Sequence, residues 1–390
     1  MNGVIITLCI MLLLAYLGEI SSARTRFPTV ILLLFLGWLT RTVVDGLNLS
    51  IPDLEPILPF LGTIGLILIV LEGALELRLN KSKTFVIRQS FFTALIPMLL
   101  LTLLIGAVFA WVSKAPFHSG LLNALPFTII SSSIAIPSTK NLSFGNREFV
   151  IYESSLSDIL GVLFFNFLLA NESLSFSSAG LFLLQILLIV LISIFSVFGL
   201  SYLLGRIKNH ITYTPIIVLV ILVYFLAKAF DLSGLIFILV LGIFLGNINE
   251  VKKLYPIERV FATINSETFE KEITKFKAIT IEATFLVRSL FFLLFGYLME
   301  TSEFLNLSTL PWAVGIVIIV YAGRWLVIKL LRLPPNPLAF FSPRGLITIL
   351  LFISITAEHK ISFINNSLLI QVIILSVFVM MAGIMRDKKA

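Results

Sequence analysis

The sequence has little charge, one cysteine and three histidines. Charged residues make up 13% of its 390 positions. A soluble domain carries roughly 25%, so water is not the main solvent of this surface. Cys9 stands alone and can close no intrachain disulfide. His118, His210 and His359 are far apart in the chain and lack metal-ligand spacing. The Gly-x-Gly-Asp, His-Glu-x-x-His and Gly-x-Ser-x-Gly patterns of intramembrane and soluble hydrolases do not occur, which argues against an enzyme and against a resident cofactor. The first apolar run has no basic start and no small-residue cleavage site, so it reads as a retained span.

Apolar residues are abundant instead: 58% of the chain is hydrophobic and the mean hydropathy is +1.07. Crossing the hydrocarbon core takes roughly 20 apolar residues. Apolar runs fall near 3–20, 27–44, 58–77, 90–112, 119–139, 149–170, 178–204, 211–230, 233–248, 276–299, 310–328, 336–357 and 366–385. The fold class expected is an all-α polytopic membrane protein of about 13 transmembrane helices in a single domain over 1–390.

The basic residues test that count independently, because Lys and Arg collect in cytoplasmic loops. Odd-numbered loops and the C-terminal tail hold 21 of the 28 Lys and Arg. Even-numbered loops hold only Arg41, Lys114, Lys228 and Lys360. This alternation places the N-terminus outside and the C-terminus inside. It also accounts for the net charge of +7 without a nucleic-acid partner. The first half of the bundle is expected over about 1–204. The ninth loop, about 249–275, has Glu267 and Lys271 at helical spacing and is expected to be a cytoplasmic surface helix linking two halves.

Ionisable residues inside spans are costly and mark function. They are Glu72, Glu76, Glu153, Asp158, Glu282, Arg288, Arg324 and Arg344. Glu76 and Glu282 lie near span ends, where they can reach the interface. Glu72 is deeper, and a structural hydrogen-bonding role competes there with a functional one. In the sixth run, Ser154, Ser157, Asp158 and Gly161 follow i, i+3, i+4, i+7 spacing and share one helix face. Two hydroxyls, a carboxylate and a small residue make an oxygen-rich stripe of the kind hard cations prefer. Glu153 is about 140° away around that helix and needs a different partner.

Two runs are interrupted. The fifth contains Thr128, Ser131, Ser132, Ser133, Pro137 and Ser138, and the twelfth contains Ser342, Pro343, Arg344 and Gly345. Clustered hydroxyls and proline weaken regular helix. Broken helix at membrane depth survives only when buried or lining a cavity. The loop map gives spans 5 and 12 opposite directions. Two broken crossing helices of opposite polarity point to inverted repeats with a midplane site. A channel or an organic-solute symporter on a related inverted-repeat fold is the main alternative to ion exchange.

Four segments resemble the monovalent cation:proton antiporter superfamily, the sodium/proton and potassium/proton exchangers. They are GALELRLNKSK (73–83), SSSIAI (131–136), ESSLSD (153–158) and the group LVRSLFFLLFG, AGRWLVI and SPRGLI. The resemblance covers essentially the whole chain. It implies a secondary transporter that exchanges a monovalent cation, sodium foremost and potassium or lithium as alternatives, for a proton. It further implies a homodimer in a lipid bilayer, here a bacterial inner membrane, serving pH homeostasis. Matched by position, Asp158 is the carboxylate that alternately holds cation and proton; the only metal expected is that transported cation. Ser154 matches a cation ligand, and Thr128, Ser132, Ser133 and Ser157 fall in the same region. Glu153 and Arg324 match a buried ion pair, with Arg288, Arg344 and Glu72 as supporting core charges. Three positions depart from the family pattern. Ser157 stands where Asn or Asp is expected, SSSIAI lacks a Thr-Asp-Pro run, and Arg288 fits neither main branch.

Overall fold

A computed structural model describes residues 29–46, 56–77, 83–139, 142–171, 234–247 and 266–386, with stretches within 9–17 and 180–195 and isolated positions besides. Every regular element among the described residues is helical. Seven helices are long and apolar enough to cross a membrane. We label α1 (Thr29–Gly46), α2 (Ile57–Glu76), α3 (Thr84–Ser113), α4 (Phe117–Ala124), α5 (Ser132–Ala135), α6 (Phe144–Ala170), α7 (Gly234–Gly246), α8 (Ser266–Leu298), α9 (Leu310–Leu330), α10 (Pro335–Leu338), α11 (Leu346–Ser354) and α12 (Asn366–Arg386). The seven are α1, α2, α3, α6, the Ile273–Leu298 part of α8, α9 and Asn366–Met385 of α12. The span expected at 233–248 is the shorter apolar α7. The span expected at 178–204 is represented by the shorter apolar helix Gly180–Ser193, and those expected at 3–20 and 211–230 lie largely outside the described residues.

The ninth loop departs from expectation. Positions 251–265 lie outside the described residues, but from Ser266 onward the chain is one helix through Leu298. No proline occurs in that stretch and its first glycine is Gly296, so nothing in the backbone breaks the charged end from the apolar span that follows.

The two interruptions are real breaks. After α4 the chain forms a single tight turn at Leu125–Phe127, runs irregularly through 128–131, then makes the one-turn helix α5 and a second tight turn at Pro137–Thr139. The hydroxyls bond locally instead of propagating helix: Thr128 Oγ1 donates to Leu125 O at 2.8 Å, and Ser138 Oγ to Ile134 O at 2.7 Å. In the second break α10 gives way to irregular chain over 339–345 before α11 begins. Pro334, Pro335, Pro337 and Pro343 cluster there, and a proline offers no N–H to a helical ladder.

The chain divides into two compact units. The first comprises Met1–Leu66, Val86–Gly161 and Phe285–Ala390, and holds both broken helices. Within it α9 meets α12, where Tyr321 Oη donates to Ser376 O at 2.6 Å. α1 meets α8 through backbone: a Cβ on Gly37 would lie 2.1 Å from Leu293 O, and one on Gly296 2.3 Å from Leu34 O. Small residues allow such approach where lipid supplies no hydrophobic drive between helices. The outer side of α3 is apolar, with Leu100, Leu103, Leu104 and Trp111 all exposed, as a lipid-facing surface is.

The second unit comprises Ile67–Phe85 and Val162–Thr284. Within it α7 packs on the end of α2, where Asn247 Nδ2 donates to Leu77 O at 2.6 Å.

Asn123 fastens the first broken helix to the loop after α11. It is fully buried, and its Nδ2 donates to Ser119 O at 2.8 Å and to His359 O at 2.7 Å. Ser119 Oγ lies 3.3 Å from His359 Nδ1. Asn123→Ala leaves the His359 carbonyl without that donor, so we expect a loss of about 1–3 kcal/mol. A fall in the thermal midpoint of the purified protein checks this, and an unchanged midpoint refutes it.

Candidate functional site

The irregular stretch after α4 exposes backbone N–H groups that its own helix does not use. Three of them find partners elsewhere in the first unit. Ile130 N donates to Ser157 Oγ at 2.9 Å, and Ser131 N to Pro343 O at 2.9 Å. Ser132 N donates to Asp158 Oδ2 at 3.3 Å, and the Ser132 hydroxyl also donates to that oxygen. The Ser131–Pro343 bond joins the two broken helices directly, backbone to backbone. Gly345 permits the approach, since a Cβ there would lie 2.7 Å from both Ser131 Oγ and Ile134 Cδ1.

The α6 stripe faces this crossing. Gly161 lies against Ile129, whose Cδ1 would be 2.2 Å from an added Cβ. Ser157 serves the backbone of residue 130, and Asp158 serves residue 132. Asp158 is buried, with 3% of its surface exposed. Its Oδ2 is held by Ser132, while its Oδ1 is buried with no hydrogen-bond partner.

The other hydroxyls singled out from the sequence are buried nearby with partners of their own. Ser154 Oγ donates to Val150 O at 2.8 Å. Ser133 Oγ pairs with Ser131 Oγ at 2.8 Å. Thr128 Oγ1 pairs with the buried Thr102 Oγ1 of α3 at 2.9 Å. Each hydroxyl keeps lone pairs that a cation could use.

Two arginines are fully buried. Arg324 grips Glu153 with both terminal nitrogens, each at 2.7 Å, and its Nε donates to Leu338 O at 2.9 Å. This fork-to-fork geometry is the strong form of the pair. Arg344 is held by oxygens that carry no full charge. Its Nε donates to Phe127 O at 2.6 Å and its Nη1 to Ser342 O and Oγ, both at 3.1 Å. It thus ties carbonyls of both broken helices together. Arg288 is half-buried on α8 and makes no ion pair among the described residues. Glu72 is half-buried on α2 in the second unit. Glu76 is half-buried at the end of α2, and Glu282 is exposed.

Sequence reasoning missed Asn123 and Ser155. Asn123 is the one amide within α4, a signal of the same kind as a charge in an apolar run. Ser155 is buried with an unpartnered hydroxyl; it is not part of the i, i+3, i+4, i+7 set that joins Ser154 and Ser157 to Asp158, so spacing passed it over.

The arrangement can hold one positive charge. A carboxylate removed from water needs a counter-charge or a proton, and here one of its oxygens is already oriented by Ser132. Among the described residues no group of three or more His, Cys, Asp and Glu could hold a resident metal ion.

Comparison with known proteins matches the family described as "sodium/hydrogen exchanger, transmembrane" over residues 9–385. No curated relative matches the sequence. Among solved structures, the chain is similar to the sodium/proton antiporter MjNhaP1 of Methanocaldococcus jannaschii at pH 8. The TM-score is 0.72 with 20% identity, covering 98% of each chain. A second structure of that antiporter, from electron microscopy, gives a TM-score of 0.68 with 18% identity, covering 99% of this chain and 95% of that one. At such identity the likeness establishes the fold.

Proposed function

The chain belongs to the sodium/hydrogen exchanger family, and on that premise we propose that it exchanges sodium for protons across a membrane, with Asp158 holding each in turn. The observation that carries the proposal is the state of Asp158: a buried carboxylate at the meeting of two broken helices, one oxygen oriented by Ser132 and the other unpartnered. Sodium wants oxygen ligands. The free Asp158 oxygen offers one, and lone pairs of Ser154, Ser132, Ser133 and Thr128 offer others within the same buried cluster. A proton neutralises the same carboxylate. Because one carboxylate cannot hold both, loading one cargo expels the other, and opening the site alternately to each side gives exchange.

Ser157 has a different part in this reading. Its hydroxyl accepts from Ile130 N and so keeps the irregular stretch in place beside Asp158. The test of the proposal is direct. Purified protein in liposomes with an acid interior should dissipate the pH gradient when sodium is added outside. A gradient indifferent to sodium, lithium and potassium would refute it.

Exchange is expected to be electroneutral. The position before Asp158 is Ser157, whose hydroxyl does not titrate in the accessible range. Position 288 carries an arginine and not a lysine, the residue type that desolvation can discharge. That leaves Asp158 as the group that cycles, so one charge enters as one leaves. A membrane potential imposed with valinomycin and potassium on active, sodium-loaded liposomes should change neither the rate nor the final pH gradient. A potential that drives proton uptake without a cation gradient would reveal a second moving charge.

A further inference from the structure

Among the described residues, three buried side-chain nitrogens or oxygens lack a hydrogen-bond partner: Asp158 Oδ1, Ser155 Oγ and Ser289 Oγ. Two of the three lie on α6, three residues apart. Residues at i and i+3 of a helix are neighbours, with Cβ atoms about 5–6 Å apart. Two unsatisfied buried oxygens are therefore adjacent on the helix that carries the proposed transport carboxylate.

We infer that Ser155 supplies a ligand oxygen to the dehydrated monovalent cation held by Asp158. The inference rests on the reading of Asp158 given above. Three serines lie within about one turn before Asp158, and two already have hydrogen-bond partners while keeping a lone pair each. Ser154 donates to Val150 O at 2.8 Å, and Ser157 accepts from Ile130 N at 2.9 Å. A helical serine ordinarily donates to the carbonyl four residues back. For Ser155 that is Ile151 O, which already takes a 3.4 Å bond from Ser154 Oγ. Ser155 is only 2% exposed, so water at the surface does not compensate it. A hydroxyl buried this way costs stability. A free hydroxyl oxygen beside a free carboxylate oxygen is also the uncharged-plus-charged oxygen set that a hard cation takes when it sheds water.

A bland alternative exists, in which Ser155 is a mere packing residue, and the two readings separate experimentally. Ser155→Ala removes an unsatisfied group, so its thermal midpoint should hold or rise in either case. Only a ligand role changes cation affinity. We expect Ser155→Ala and Ser155→Cys to raise the KM for sodium, and the sodium Kd by calorimetry, about tenfold, the size of one lost polar interaction. KM should rise by more than the maximal rate falls. Ser155→Thr keeps the hydroxyl and should recover sodium affinity relative to Ser155→Ala. Unchanged KM and Kd in both Ser155→Ala and Ser155→Cys overturn the inference. Asp158→Asn measured beside them keeps the two readings apart. If it is inactive while Ser155→Ala binds sodium normally, only the Ser155 assignment falls. If Asp158→Asn still exchanges, the reading of Asp158 falls and takes this inference with it.

Discussion

Asp158→Asn is expected to abolish exchange and leave a folded protein. Asparagine matches aspartate in size, and its amide oxygen can still accept from Ser132 N, the bond that now measures 3.3 Å. The crossing of the broken helices rests on other contacts as well, Ser131 N to Pro343 O and Arg344 to Phe127 O, and these do not involve residue 158. What the substitution removes is the negative charge, and with it the site's ability to neutralise a sodium ion or to take and release a proton. Among the described residues of the first unit the other buried acid is Glu153, and it is locked to Arg324. Proton flux driven by sodium in liposomes should fall to the level of empty vesicles, while helical content and thermal midpoint stay near the parent. A purified, folded Asp158→Asn that still exchanges would remove the basis for the proposed mechanism.

The breaks were legible in the sequence because they are made of chemistry. Ser131, Ser132, Ser133, Pro137, Ser342 and Pro343 are residues that compete with or interrupt helical hydrogen bonds, so an apolar run containing them announces its own discontinuity. The shared face of Ser154, Ser157, Asp158 and Gly161 was legible for a similar reason, since helical periodicity fixes it. What each residue on that face touches was not. Ser157 and Ser155 are the same residue type two positions apart, yet one caps Ile130 N and the other has no partner. The difference depends on where the chain at 129–132 passes, and a backbone bond between Ser131 and Pro343 is among the contacts that hold it there. Backbone atoms are common to all residues, so such a bond leaves no trace in composition or spacing. The continuity of α8 is hidden for a related reason. A change from charged to apolar residues at 275–278 marks a change of solvent and carries no sign of whether the helix continues through it.

Breaking the Glu153–Arg324 pair should cost the most stability of any single substitution considered. Both residues are 1% exposed, and two bonds of 2.7 Å join them. Arg324 also donates to Leu338 O at 2.9 Å, so the same guanidinium fixes α10, where the second broken helix begins, to α6 and α9. Burying this pair is not itself a large source of stability, because desolvating two charges consumes most of their attraction. Removing one member is another matter, since it strands the opposite charge. Glu153→Ala or Arg324→Ala should therefore lower stability by about 3–5 kcal/mol, far more than Asp158→Asn, which leaves no charge behind. The double substitution gives the sharper test. If the pair acts as a unit, Glu153→Ala with Arg324→Ala should cost clearly less than the two single losses added together, because no unpaired charge remains in it. Thermal midpoints of the four proteins in one detergent decide the matter. A Glu153→Ala protein as stable as the parent would mean that the Arg324 charge is compensated elsewhere and that the ion pair does not hold these helices.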